Sequence, residues 1–234
     1  MAMRGKLLAG LVMTLTPAIA GAQMNTLVKP DGSPHAQEMT DAYQAILERQ
    51  PARAVELITS VIADFEKSYA GEKRQIFCAV SEAQSAAYLT AAKAANREAV
   101  AIEPGWCRAQ YINAFALVDL GKLDEAGAAF ERLLTFAPRN SRYLNELGYV
   151  YQAQKKWDLS LDAYRRSEIA ADLAPDDVVK ERCVALRGQG YDLVELGQLN
   201  YAEAAYRRCL AIAPDDKNSR NELLYIEQQR KKTI

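Results

Sequence analysis

The sequence predicts an all-α chain built as an array of stacked helical hairpins. Three observations lead there. A phrase recurs: Leu120-Gly121-Lys122-Leu123-Asp124-Glu125-Ala126, then Phe130 and Ala137-Pro138, returns as Leu196-Gly197-Gln198-Leu199-Asn200-Tyr201-Ala202, then Tyr206 and Ala213-Pro214. Between them an intermediate copy keeps one constant step, from Ala126 to Ser160 and again from Phe130 to Tyr164. Beyond Ala36 helix formers dominate, no alternating strand pattern is visible, and prolines stand where helices should begin or end. A period of this size marks a repeat architecture, in which one hairpin cannot cover its own apolar stripe and must lean on the next.

The first stretch is expected to lie outside the fold. Met1 to Gln23 carries Arg4 and Lys6, runs apolar from Leu7 to about Ile19, and closes on Ala18-Ile19-Ala20 and Ala20-Gly21-Ala22. That order fits a secretory signal peptide over residues 1–22, cleaved after Ala22, and the apolar run is short for a bilayer span. Residues 23–35 carry Pro30, Gly32 and Pro34 and read as a flexible lead-in.

About five hairpins follow, over 36–68, 73–104, 107–140, 141–175 and 176–214. In the first, Pro51 opens a second helix bearing Ala54, Leu57, Ile58 and Val61. The second ends at Glu103-Pro104, with Pro104 one period before Pro138, and its second helix should hold Ala92, Ala95 and Ala99, although it lacks a Gly turn. The third pairs helices near 106–120 and 122–137, where Ala114 and Ala126 allow close approach and Phe130 fills the gap between hairpins. In the fourth, Leu144, Leu147, Gly148 and Tyr151 precede Trp157 and Tyr164, with Lys155-Lys156 at the turn and Ser160 in place of Ala. The step from Tyr164 to Tyr206 is longer than the period by eight. Three of the extra residues precede Pro175, and five, around Asp176 to Lys180, should lengthen the next helix at its start. After Pro214, Asp215-Asp216 can cap a last helix from about Lys217 to Arg230, with Leu223, Leu224 and Ile226 on one side, so that 215–234 closes the stack as a capping helix and tail.

Charge narrows the partners. The chain has 29 Lys and Arg against 30 Asp and Glu, a net charge of −1, and loses two cations with the leader. Nothing there favours nucleic acid, and no later segment is apolar enough to hold the chain in a membrane once the leader is cut. Cys78, Cys107, Cys183 and Cys209 form an even set, which in an exported chain reads as disulfides, and no C-x-x-C spacing supports a redox pair or a zinc knuckle.

The anchors Leu147-Gly148 with Tyr151, Gly121 and Gly197, Ala126 and Ala202, Phe130, Tyr164 and Tyr206, and Pro138 and Pro214 resemble the tetratricopeptide repeat (TPR) family, closely over 107–214 and less so over 36–104. The resemblance implies a right-handed superhelix of antiparallel helix pairs whose first helices line a concave face, and a scaffold or adaptor that grips a peptide or partner helix there. Carried over by position, the family's inner face falls on Arg108, Tyr111, Ile112 and Phe115, on Arg142, Asn145, Glu146 and Tyr149, and on Arg187, Tyr191 and Val194. Aromatic residues with Arg are the composition expected of contact anchors. Arg142 and Arg187 suggest charge-assisted pairing with an acidic peptide. Arg108, Asn145 and Arg187 only loosely follow the family's carboxylate clamp. The stack also favours the pairings 78–107 and 183–209: Cys183 starts a first helix and Cys209 ends its partner, while Cys78 and Cys107 should lie on first helices of adjacent copies.

A catalytic reading finds little. His35 is the only histidine, which excludes a His-dependent triad or a multi-His metal site within one chain. There is no phosphate-binding Gly loop and no G-x-S-x-G. The acidic pairs 124–125, 176–177 and 215–216 read as helix-start charges, and Trp106 and Trp157 as packing residues rather than a sugar platform. The expectation is therefore a periplasmic, non-catalytic binding protein without cofactor or metal. The alternatives are an accessory subunit of an envelope enzyme or assembly machine, and self-association through the outer helix faces.

Overall fold

The computed structural model describes residues 34–232, so the expected leader at 1–22 and the lead-in up to Ser33 lie outside the described residues. The chain is an all-α superhelical array of antiparallel helix pairs with a small β-α-β insertion. Its first hairpin joins α1 (Ala36–Leu47) to α2 (Pro51–Tyr69). Pro51 takes the first helical position, where its missing N–H costs nothing. Ala54, Ile58, Val61 and Phe65, three or four residues apart, form the buried stripe of α2.

The stretch 73–104 departs from the expectation of a helical hairpin. It folds as β1 (Gln75–Cys78), α3 (Glu82–Ala94) and β2 (Ala99–Ile102). The strands are parallel, from Gln75 opposite Ala99 to Cys78 opposite Ile102. Parallel neighbours need a crossover of about a dozen residues, which α3 supplies. Ser81 caps α3 by accepting from the Gln84 N–H at 3.2 Å. Asn96, at φ 52, turns the chain out of the helix, so the alanine run does not continue to Ala99. Four-residue strands carry no usable alternation, which is why the helix-rich composition hides them. Among the described residues the hairpins are therefore four rather than five. The first and second pack on each other directly, through α2 and the helix that follows the insertion.

From there the expected phase holds. The pairs are α4 (Gly105–Asp119) with α5 (Leu123–Phe136), α6 (Ser141–Ala153) with α7 (Trp157–Ala170), and α8 (Val178–Glu195) with α9 (Leu199–Ile212), closed by α10 (Lys217–Lys232). The extra eight residues are taken up as expected in kind: Ala171–Leu173 forms a 3-10 turn, and α8 starts five residues ahead of Cys183. Gly121 and Gly197 turn their hairpins at φ 72, and Lys155 adopts φ 59 at the equivalent turn. Ser160, standing where other copies have Ala, is fully buried and donates to the Gly148 carbonyl at 2.9 Å. The Tyr164 ring is seated between α6 and α8. A Cβ added at Gly148 would come within 2.8 Å of that ring, and one at Gly188 within 2.4 Å.

Asp216 caps α10 by accepting from the Ser219 N–H at 2.7 Å, and Ile226 docks that helix onto Leu193, Ala202 and Tyr206. Leu224 does not share that side: it is 57% exposed. Cys78–Cys107 and Cys183–Cys209 are bonded. The second ties a first helix to its partner, as the stack implies. The first ties strand β1, not a first helix, to α4. Among the described residues no helix is long and apolar enough to cross a membrane.

Candidate functional site

The first helices α4, α6, α8 and α10 carry one position in register. Phe115 and Tyr149 stand one period apart, as do Tyr191 and Tyr225, and the step from Tyr149 to Tyr191 is longer by the insertion. Exposure rises along this row from Phe115 (6%) to Tyr191 (37%) and Tyr225 (44%), with Tyr149 half-buried. The Trp157 ring, at the start of α7, lies 6.2 Å from that of Tyr191.

The other expected inner-face residues divide sharply. Tyr111, Ile112 and Phe115 are all buried core residues. Tyr111 stacks on Tyr143 at 5.2 Å and meets Phe130 edge-on at 6.1 Å, so the neighbouring hairpin covers the face that the family position assigns to a partner. Asn145 is buried and donates to Glu181 Oε2 at 3.0 Å. Arg142 has a side chain only 12% exposed, set between Glu181 (3.4 Å) and Asp176 (3.6 Å). Arg187 pairs with Asp216 at 2.6 Å. Val194 packs beside the Leu193 and Ile226 cluster. Tyr149, Tyr191 and the partly exposed Arg108 remain accessible. Tyr225 is the residue that sequence reasoning missed. Its signal was the plain period from Tyr191, unused because α10 reads as a cap.

Arg108 and Arg142 line a polar recess of about 110 Å³ with Gln84, Tyr143, Asp176 and Glu181, where the β-α-β unit meets α6 and the start of α8. Gln84 accepts from the Val80 N–H at 3.2 Å and donates to the Leu173 carbonyl at 3.3 Å. The two departures from the period, at 73–104 and 171–180, therefore touch. Arg142 is balanced by two carboxylates of the same recess, Asp176 and Glu181. Trp106 is buried between Tyr69 (5.4 Å) and Phe136 (4.7 Å), a packing role. Among the described residues no cluster of His, Cys, Asp and Glu is arranged to hold a metal ion.

Two buried acids give the inner helices a pH response. Burial pushes Glu146 up to about 7, with the charge of Glu181 adding and a hydrogen bond from Tyr111 opposing. Burial likewise pushes Asp192 up to about 7 against hydrogen bonds from Ser160 and Gln152. In the unfolded chain both titrate near pH ~4, so the folded chain binds these protons more tightly. Their stabilising contribution is complete below that pH and is lost as pH rises through about 7. Thermal melts should therefore show a midpoint about 5 °C lower at pH ~8 than at pH ~5, and Glu146→Gln with Asp192→Asn should remove most of that slope. An unchanged slope in the double variant would refute the assignment.

The fold has solved counterparts. A kinesin light chain protein of Podosopora anserina with nearly identical TPR-like repeats superposes with a TM-score of 0.58 at 15% identity, covering 85% of this chain and 87% of that one. A single-substitution variant of it gives 0.59 at 16% identity, over 86% and 90%. A double mutant of MamA RS-1 gives 0.54 at 15% identity, over 83% of each chain. No family model and no curated protein matches the sequence. The likeness to the TPR-like structures defines the class: the chain has the fold of a TPR solenoid.

Proposed function

We propose that the chain is a non-catalytic interaction scaffold or adaptor that holds a peptide or a partner helix on its inner face. The observation that carries this reading is the row of large aromatic side chains left uncovered on successive first helices, ending in Tyr191 and Tyr225. A repeat stack leaves a long trough, which suits a polypeptide better than a small substrate. We further propose that the protein works in the periplasm. The basic, apolar and small-residue order of residues 1–22 supports export, and two disulfides suit an oxidising compartment.

A photocrosslinker placed at Tyr191 or Tyr225 in living cells should capture a protein partner, while one at Arg165 or Arg207 on the second helices should not. Capture confined to the second helices would overturn the inner-face reading. Self-association is the competing use of the outer faces, where Leu159, Ile169 and Tyr201 are 51%, 68% and 69% exposed. Light scattering decides it: a monomer at high concentration removes that use.

A further inference from the structure

We infer that the occupant of the inner face is a basic segment, an extended stretch bearing Lys or Arg that lies across Tyr149, Tyr191 and Tyr225 and meets Glu195 and Glu222. This rests on the inner-face reading above and fixes the chemistry of its partner.

Two of the three inner-face arginines, which would favour an acidic partner, are already engaged by carboxylates of the chain. Arg187 is held by Asp216 at 2.6 Å, and Arg142 stands between Glu181 and Asp176. On the closing helix, Arg230 bonds Glu203 at 2.6 Å and Lys231 bonds Glu227 at 2.6 Å. The aromatic row, by contrast, stands among acids. Glu195 follows Tyr191 by one turn of α8, and Glu222 precedes Tyr225 on α10, both on the helix faces these rings occupy. Burial, then the negative charges of Glu195, Asp192 and Glu222, raise the Tyr191 hydroxyl above its ordinary value, and Tyr225 acts on it in the same sense. Glu222 is itself raised by burial. The surface around these rings is electronegative, and a tyrosine face attracts an ammonium or guanidinium through its quadrupole. Charge complementarity of this kind selects partners by sign.

Geometry sets a spacing. Packed helices stand about 8–10 Å apart, and an extended chain advances about 3.3 Å per residue, so one cation in every third position would meet successive rungs.

The test uses the purified full chain and labelled twelve-residue peptides, read by fluorescence anisotropy. One peptide carries Lys at every third position among Ser and Thr, and its counterpart carries Glu at the same positions. The Lys peptide should bind at least about tenfold more tightly than the Glu peptide, and Tyr191→Ala with Tyr225→Ala, or Glu195→Gln with Glu222→Gln, should each weaken it about fivefold or more. These side chains lie at the surface, and melting curves confirm that each variant is folded. An outer-face control, Asp162→Asn, should leave binding unchanged. Equal or tighter binding of the Glu peptide, or binding of neither, overturns the charge assignment. If Glu-peptide binding is lost in the tyrosine variant, the inner-face reading survives that failure. Lys-peptide binding that persists in every inner-face variant overturns both.

Discussion

Gly188→Ala should destabilise the chain by about 3 kcal/mol, although a Gly to Ala change within a helix ordinarily stabilises by up to about 1 kcal/mol. The sign is decided by the Tyr164 ring. A Cβ at Gly188 would sit 2.4 to 2.5 Å from three of its carbons, inside any real contact distance. The ring cannot retreat toward α6, because a Cβ at Gly148 would already come within 2.8 Å of it from the other side. Its hydroxyl is also held, donating to Gln152 Oε1 at 3.3 Å. Either the ring leaves its seat or α8 moves away from α6, and both open the packing between two hairpins. Urea unfolding measures the loss. Adding Tyr164→Leu to Gly188→Ala should recover part of it by making room. A variant as stable as the parent would show that the ring has space that this packing denies it.

Replacing Cys183 and Cys209 together by Ala should cost about 3–4 kcal/mol of stability, the chain-entropy expectation for a closed loop of this length. The bond spans 26 residues and joins the start of a first helix to the end of its partner. Both sulfurs are buried beside Leu186 with Ala213 against them, so the Ala pair keeps most of the packing and the loss reports the cross-link. Thiol reductant should lower the melting midpoint of the parent chain and leave that of a variant lacking all four cysteines unchanged. A double variant that melts with the parent under oxidising conditions would show that the cross-link adds nothing to the hairpin.

Much of the fold is legible in the sequence because the repeat writes the same constraint several times. Gly121 and Gly197 mark turns that need positive φ, Phe130, Tyr164 and Tyr206 mark the gaps between hairpins, and the eight extra residues fall where the register says they must. The 73–104 unit was not legible. Its strands are four residues long, and the alanine-rich segment between them satisfies a helix reading whether it is half a hairpin or a crossover. The candidate site was legible only by position. Period alone places Phe115 and Tyr191 at equivalent positions, yet the first is 6% exposed and the second 37%. Period also shows Arg142 and Arg187 as free cations. Their partners come from places where repetition gives little guidance: Asp176 from the inserted segment, Glu181 from the helix turn that follows it, and Asp216 from the loop before the last helix.

The contact from Gln84 to the Leu173 carbonyl joins points 89 residues apart in sequence, across two hairpins of the coil. A solenoid whose units touch only their neighbours flexes like a spring, because no contact reaches past the adjacent turn. Here one coil is pinned to another by a strut. The two hairpins between those points are thereby held in one arrangement, with less of the slack that a coil joined only turn to turn retains.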